Sequence, residues 1–443
     1  MKLSGLVVCV ICTVGAHAQI VNTLLDSTVN KRGKYPTDPG IAISFKNPKQ
    51  LVAGASSGNV FVSEDGGANW ENVRLISPHG IWFGARVLSD FSGNFFYVHL
   101  SDPTGKGEGT DELLDRIVVQ RSKDGGKSWD GGNDVGFNPP KDQYQPNAIA
   151  DRKGNIFLTW TEVDKLYSDE AGCTSRIMFS KSSNGSKWLK PIVLSVNEGD
   201  CKDGDGTVKG AVPAVSSDGK IFVAWSHDGV LFLDRSFDGG NFWLTNDIAL
   251  LEQRGGWNFT VPGIESANGL PTLVCNNTKA NFSGALYLVW AEQVEEGDTD
   301  IFFTRSLNYG DNWTQPMRIN DDEPGKYQFM PAMTIDQVTG HIYILYYDRR
   351  DHEDNKTDVY LAWSTDHGAS FKNVKVSEEP FLPQGESLGT HIGIAAHGGT
   401  IVPVWTRLDN GKASIWTATI RHADLEGVKE QETSEKKKKK KSN

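Results

Sequence analysis

The chain has 443 residues, a formal net charge of −11, 38% hydrophobic residues and 47 glycines. That acidic balance argues against a nucleic-acid binder, which needs a basic face. Its 13 Trp and 20 Phe favour strands over helices and are enough to line a large core.

In chain order, the first feature is Lys2, an apolar run over 3–14 and the small-residue triplet Ala16-His17-Ala18. This is the pattern of a secretory signal over residues 1–18, too short to span a bilayer. No later apolar run reaches membrane-spanning length, so the mature protein is expected to be soluble, secreted or periplasmic, and a monomer. Next comes IVNTLLDS at 20–27, a strand-like segment, and then a repeated octet. Its copies are SEDGGANW (63–70), SKDGGKSW (122–129), KSSNGSKW (181–188), SFDGGNFW (236–243), SLNYGDNW (306–313) and STDHGASF (364–371). Near-constant spacing of such a unit marks a radial or solenoidal array.

Between octets the grammar is constant. In the third unit a strand at 147–150 is followed by a turn at 151–155, then strands at IFLTW and RIMFSK, the octet and LKPIVLS. Four short strands per unit predict an all-β propeller. After the last octet HIGIAA, TIVPVW and ASIWTATI supply three more strands with no octet behind them. Residues 20–27 read like a fourth strand, so the economical ring has seven four-stranded blades with the N-terminal strand closing the last; six blades is the alternative. The propeller is assigned to 19–422 and a charged, disordered tail to 423–443, including the Lys run 436–441.

SxDxGxxW between a third and fourth strand resembles the Asp-box, or BNR repeat, of the sialidase-like propellers. The resemblance covers nearly all of the mature chain and implies the fold. It says much less about activity, since Asp-boxes occur in catalytic and non-catalytic propellers alike. The box carboxylates Asp65, Asp124, Asp238 and Asp366, with Asn308 and Ser183 as polar substitutes, recur around the ring. Repetition suits a scaffold better than a catalyst, with each acceptor closing its own turn by taking backbone N–H groups. A Gly at the fifth position supplies φ > 0 and the closing aromatic packs between blades. The FRIP-like arginine motif of sialidases is missing, the corresponding stretch reading YPTDPGIAISF, and known sialidases are six-bladed.

Because the boxes follow third strands, the connections after second and fourth strands lie on the opposite face. A column at the second-strand ends, Glu162, His227, Glu292, Asp348 and Arg407, offers acid, base and anion clamp there, with Ser57 and Ser101 at the less certain positions. Arg349, Arg254, Asp38, His391, Tyr144, Tyr327 and Trp257 lie in nearby segments and suit an acidic sugar, charge on charge and ring on ring. The column could equally be a polar rim. The expected activity is therefore a glycosidase acting on an extracellular acidic glycan. The alternatives are a non-catalytic glycan- or protein-binding propeller, and a uronate lyase using His227 or His391 with a Tyr. Long insertions at 102–115, 163–175 and 349–358 would serve any of these. Cys173 and Cys201, both in polar loops, are expected to form a disulfide and Cys275, behind an apolar run, to stay a buried thiol. No cofactor is required; calcium at Asp203 and Asp205, within DCKDGDG, is the one candidate and lacks EF-hand spacing.

Overall fold

The computed structural model describes residues 20–107, 113–265, 267–279, 282–295, 298–385 and 387–425. The signal segment 1–18 and nearly all of the charged tail lie outside them. Seven antiparallel sheets follow one another around a ring. Blade one is built from Gly40–Ile43, Leu51–Ala55, Asn59–Ser63 and Glu71–Arg74. Blade two uses Arg86–Ser89, Phe95–Leu100, Ile117–Ser122 and Asn133–Val135. Blade three uses Asp142–Ala150, Ile156–Val163, Ser175–Ser182 and Ile192–Val193. Blade four uses Lys209–Val215, Ile221–His227, Val230–Ser236 and Ile248–Glu252. Blades five and six run through Thr272–Cys275, Leu286–Glu295, Asp298–Ser306 and Met317–Arg318, then Gln328–Ile335, Ile342–Asp348, Asp358–Ser364 and Lys372–Lys375.

The seventh blade takes Gly393–His397, Thr400–Asp409 and Lys412–Ala418 from the C-terminal end and Asn22–Asp26 from the N-terminal end. Asn22 pairs with Ala418 and Leu24 with Trp416, antiparallel, so the chain's two ends close the ring. Closure gives the exposed edge of the 412–418 strand a hydrogen-bonding partner. Packing continues to Leu425, which is 1% exposed.

Burial explains the sequence pattern strand by strand. Second strands are covered by neighbouring blades on both faces, so Ile156–Val163 and Ile342–Asp348 are buried along their whole length and read as near-continuous apolar runs. Fourth strands face solvent, are short, and carry charges, as in Glu71–Arg74.

Each Asp-box is a closed local circuit. In blade one Ser63 Oγ accepts the Gly67 N–H (2.9 Å) and donates to Asp65, whose Oδ1 also accepts the N–H groups of Ala68 and Asn69 (both 3.0 Å). Those bonds, led by the ones from Asn69, hold the Asp65 carboxyl down at about 2. Trp70 Nε1 closes the turn on the Gly67 carbonyl and its ring packs against the blade-one and blade-seven core. Blade three differs from the sequence alignment. Its box is one residue shorter: Ser182 Oγ accepts the Gly185 N–H (2.9 Å) and the acceptor is Asn184, bonded by the N–H of Ser186 (2.9 Å), not Ser183. A missing residue inside a turn is invisible when copies are aligned on their final tryptophan.

A two-stranded hairpin, Asn258–Phe259 with Ala267–Asn268, stands apart from the blades in the connection between blades four and five. Phe259, Val261, Ile264 and Ala267 share one apolar cluster with Phe329 and Met330 of blade six and Leu388 and Ile392 at the entry to blade seven. Gly385 donates its N–H to the Gly263 carbonyl (2.8 Å), Asn268 Nδ2 donates to the Thr390 carbonyl (3.0 Å), and Asn258 donates its N–H to Asp205 (2.8 Å). Contacts with blades four, six and seven at once place the hairpin as a roof over the ring, on the face opposite the Asp-boxes. Asp205 comes from the loop that the Cys173–Cys201 disulfide ties down, and Cys275 is a buried free thiol.

Candidate functional site

The first strands kink where they enter the ring. Asp38, Gln145 and Met330 are non-glycine residues with φ of 55°, 53° and 53°, and Gly84, Gly210 and Gly389 also have positive φ. In blades three, four and six the pairing register shifts at this point, the signature of a bulge. Two residues beyond each kink comes Gly40, Arg86, Asn147, Val212, Ala332 or His391, and all six line one axial cavity of about 200 Å³. Side chains in the left-handed region cost of order 1 kcal/mol or more each, and such strain collects at functional sites.

Three of the six are polar. Arg86 donates from Nε to the Pro146 carbonyl (3.2 Å) and, among the described residues, makes no ion pair. Burial lowers its guanidinium to about 10, and Asp38 opposes the shift from a distance. His391 is wedged, with Nε2 3.1 Å from the Ala85 carbonyl and Nδ1 3.3 Å from both Asp38 Oδ1 and Thr390 Oγ1. A carbonyl can only accept, so Nε2 carries the proton. Burial, with the Arg86 charge, holds the imidazole below its ordinary range. Asp38 receives the N–H and hydroxyl of Thr390 (both 2.7 Å) and the hydroxyl of Thr37 (2.8 Å). Burial pushes that carboxyl up, but His391 and the Thr390 bonds outweigh it and hold it low. Asp38 is fully engaged and His391 is wedged against it, which leaves Arg86 as the cation with open donors toward the cavity, beside Asn147, Gln145 and Asn268.

The second-strand column is distributed differently. Glu162 is bonded by Arg176 (3.0 Å), Asn138 (2.9 Å) and Gln143 (3.1 Å), and Gln143 also accepts the Trp160 indole N–H. Glu292 is held by Arg254 and by Trp290 Nε1 (2.9 Å). Asp348 is 0% exposed and takes Arg350 through two nitrogens (both 2.8 Å). Burial raises the Asp348 carboxyl to about 6 against the pull of Arg350. Each carboxylate has its own arginine, Arg176 and Arg350 from the same blade and Arg254 from the connection that follows blade four, and none lines the axial cavity. Arg407 pairs with Asp409 (2.5 Å) and the Pro380 carbonyl, so Arg254, Arg349 and Arg407 do not converge as a clamp. His227 sits at a two-residue turn against Asp228.

Arg349 is buried, bonded to Thr357 and Asn355, with the rings of Tyr327 and Phe329 each about 6 Å away and its Nη2 without a partner. Ser101 Oγ donates to Asp115, and Ser57, in the turn after the second strand of blade one, accepts the Asn30 amide. Asp203 accepts from Tyr144 (2.9 Å) and from Lys209 (2.5 Å), whose ammonium lies over the Tyr144 and Trp257 rings, and Asp205 serves the roof. Those oxygens are committed to protein groups. Among the described residues no set of three or more His, Cys, Asp or Glu is arranged to hold a metal, and no helix is long and apolar enough to cross a membrane.

Sequence reasoning named Asp38 and His391 but missed Arg86, Asn147 and Asn268. For Arg86 and Asn147 the signal was present in the series D38-P-G, G84-A-R, Q145-P-N, G210-A-V, M330-P-A and G389-T-H, read two residues on; Asn268, in a two-residue hairpin strand, had none.

No family model matches the sequence. Photosystem II assembly lipoprotein Ycf48 of Synechococcus sp. (strain CC9902) is 23% identical over 226 residues, which are 47% of this chain and 62% of that protein, less than two thirds of its length. A protein of unknown function from Dyadobacter fermentans superposes with a TM-score of 0.50 at 12% identity, over 91% of this chain and 98% of the other. A Hadza microbial sialidase gives 0.48 at 13% identity, over 84% and 73%. The fold is a seven-bladed propeller of four-stranded antiparallel sheets. Propellers of this kind include glycosidases, a polysaccharide lyase and Ycf48, and identities this low speak to fold alone.

Proposed function

We propose that the protein is a carbohydrate-binding propeller whose axial chamber takes one carboxylate-bearing sugar unit of an extracellular glycan. The observation that carries this is Arg86, a half-buried guanidinium with no carboxylate partner among the described residues, at a cavity lined also by amides, His391, two threonines and apolar wall. A charge partly withdrawn from water without a counter-ion is unfavourable, and a ligand carboxylate would supply the missing partner in the fork geometry that guanidinium favours. The chamber's volume suits a single ring and its amides suit hydroxyls.

The hydrolytic reading needs two carboxyl groups facing one bond, and Glu162, Glu292 and Asp348 stand in separate arginine-held networks. The lyase reading pairs a histidine base with a tyrosine, and among the described residues no tyrosine lines the cavity at His391. The disulfide fits an oxidising compartment outside the cytoplasm.

Calorimetric titration with 3′-sialyllactose, a glucuronate disaccharide and neutral lactose tests this. Wild type should bind an acidic probe in preference to lactose, release no product, and lose about 10- to 100-fold in affinity as Arg86→Gln. Equal binding of lactose, or an Arg86→Gln protein that binds as well as wild type, would overturn the reading. Turnover of either acidic probe would replace binding with catalysis.

A further inference from the structure

The Asp-box face carries a second concavity, remote from the roof, between the third and fourth blades. It encloses about 480 Å³, within the usual range of small-ligand sites and larger than the axial chamber. Its walls come from the first turn and the box of blade three and from the matching turn and box of blade four, among them Lys153, Lys187, Leu189, Asp218 and Phe237.

Charges in the groove are unevenly committed. Asp151 is consumed by its own turn, accepting the N–H groups of Lys153 and Asn155 and the Asn155 amide. Asp218 is paired with Lys220 and Ser216, and Asp238 caps its own box. Lys181 ties the two blades together through the Gly239 carbonyl (2.7 Å) and Asn241 (2.9 Å). Lys153 and Lys187 are exposed and, among the described residues, have no carboxylate partner. The groove therefore has two open cations and no open carboxylate to match them.

Phe237 supplies the other half of the chemistry. Its ring leans edge-on against Phe222 at 6.4 Å and lies near the Arg235 guanidinium at 5.0 Å, yet the residue stays 54% exposed at the groove wall. An exposed aromatic beside free ammonium groups and short polar side chains suits a ligand with an apolar ring face, hydroxyls and a fixed anion. An acidic peptide fits less well, because its carboxylate side chains present no flat apolar face to the exposed Phe237 ring, whereas a sugar ring presents one.

We propose that this groove is a second binding site, for an anionic carbohydrate chain bearing carboxylate or sulfate groups, independent of the axial chamber. The probe is a chondroitin sulfate tetrasaccharide, titrated into the full chain at low and physiological salt. Phe237→Ala and the charge-reversed pair Lys153→Glu/Lys187→Glu should each weaken binding at the groove at least about 10-fold, with unchanged melting temperature, while Arg86→Gln removes at most a separate axial binding event. Binding should also weaken as salt rises. Wild-type protein that fails to bind the tetrasaccharide, or groove variants that bind it normally, would overturn the proposal. So would full displacement by a poly-glutamate peptide, which would make the site one for acidic peptides. Loss of binding in Arg86→Gln alone would assign the tetrasaccharide to the axial chamber and refute a separate site.

Discussion

At the residue scale, adjacent positions of the box, the fourth (Gly66) and the fifth (Gly368), are subject to constraints of different origin. Gly66 and Gly368 both have positive φ (84° and 79°), but a Cβ on Gly66 meets nothing within 4 Å, whereas one on Gly368 lies 2.5 Å from the Phe303 ring of the preceding blade. Gly66→Ala should therefore cost about 1 kcal/mol, the conformational term alone, and Gly368→Ala about 2 kcal/mol or more beyond it, as seen in denaturant midpoints. Asp234 shows an electrostatic effect of similar size. It is 0% exposed, its Oδ2 has no partner, and burial, with Asp247 nearby, lifts its carboxyl to about 6. A carboxyl that titrates higher in the folded state than in the unfolded state binds more protons when folded. Its contribution is thus present at low pH and lost as pH rises from about 4 through 6, by up to about 3 kcal/mol. Urea unfolding at pH 4.5 and 7.5 should show this loss in wild type, and Asp234→Asn should flatten it. Box carboxylates were legible as scaffold because they repeat; Asp234 was not, because burial of one strand position appears only in the packed blade.

At the element scale, the roof and the closing strand do different work. The closing strand Asn22–Asp26 pairs with a strand nearly four hundred residues away, so its loss leaves Lys412–Ala418 as an unpaired edge. Removal of residues 20–27 should lower the melting temperature sharply and promote self-association, read by calorimetry and light scattering; an unchanged melting curve would mean the ring holds without it. The roof depends on the loop carrying Asp205, which the Cys173–Cys201 bridge anchors across 28 residues. Cys173→Ser/Cys201→Ser should cost about 3 to 4 kcal/mol in the chain-entropy account. It should also raise amide exchange at 253–271 ahead of the blades. Exchange rising uniformly instead would separate the disulfide from the roof. The closing strand was readable from three orphan C-terminal strands and one orphan N-terminal strand. The roof was not, because two-residue strands carry no periodicity and its contacts span three blades.

At the scale of the whole molecule, ring geometry separates residues that the sequence makes equivalent. Glu162, Glu292 and Asp348 end homologous strands, and a column in an alignment looks like a cluster. In the ring it becomes a circle, with each member beside its own Arg176, Arg254 or Arg350. Asp348→Asn should accordingly appear as lost stability, about 3 kcal/mol or more for breaking a buried pair, with acidic-sugar binding unchanged in protein that still folds.

The sequence by itself determined the repeat, the blade count, the closing strand and the scaffold role of the boxes, because local turn chemistry and strand burial recur with a period the eye can follow. Only the tertiary structure decided which polar groups meet. Asp38 and His391 are 353 positions apart and touch because the first and last blades are neighbours. Arg86 joins them because a backbone kink turns its strand toward the axis. A period records what each blade shares, whereas a site at the axis is made from what the blades do not.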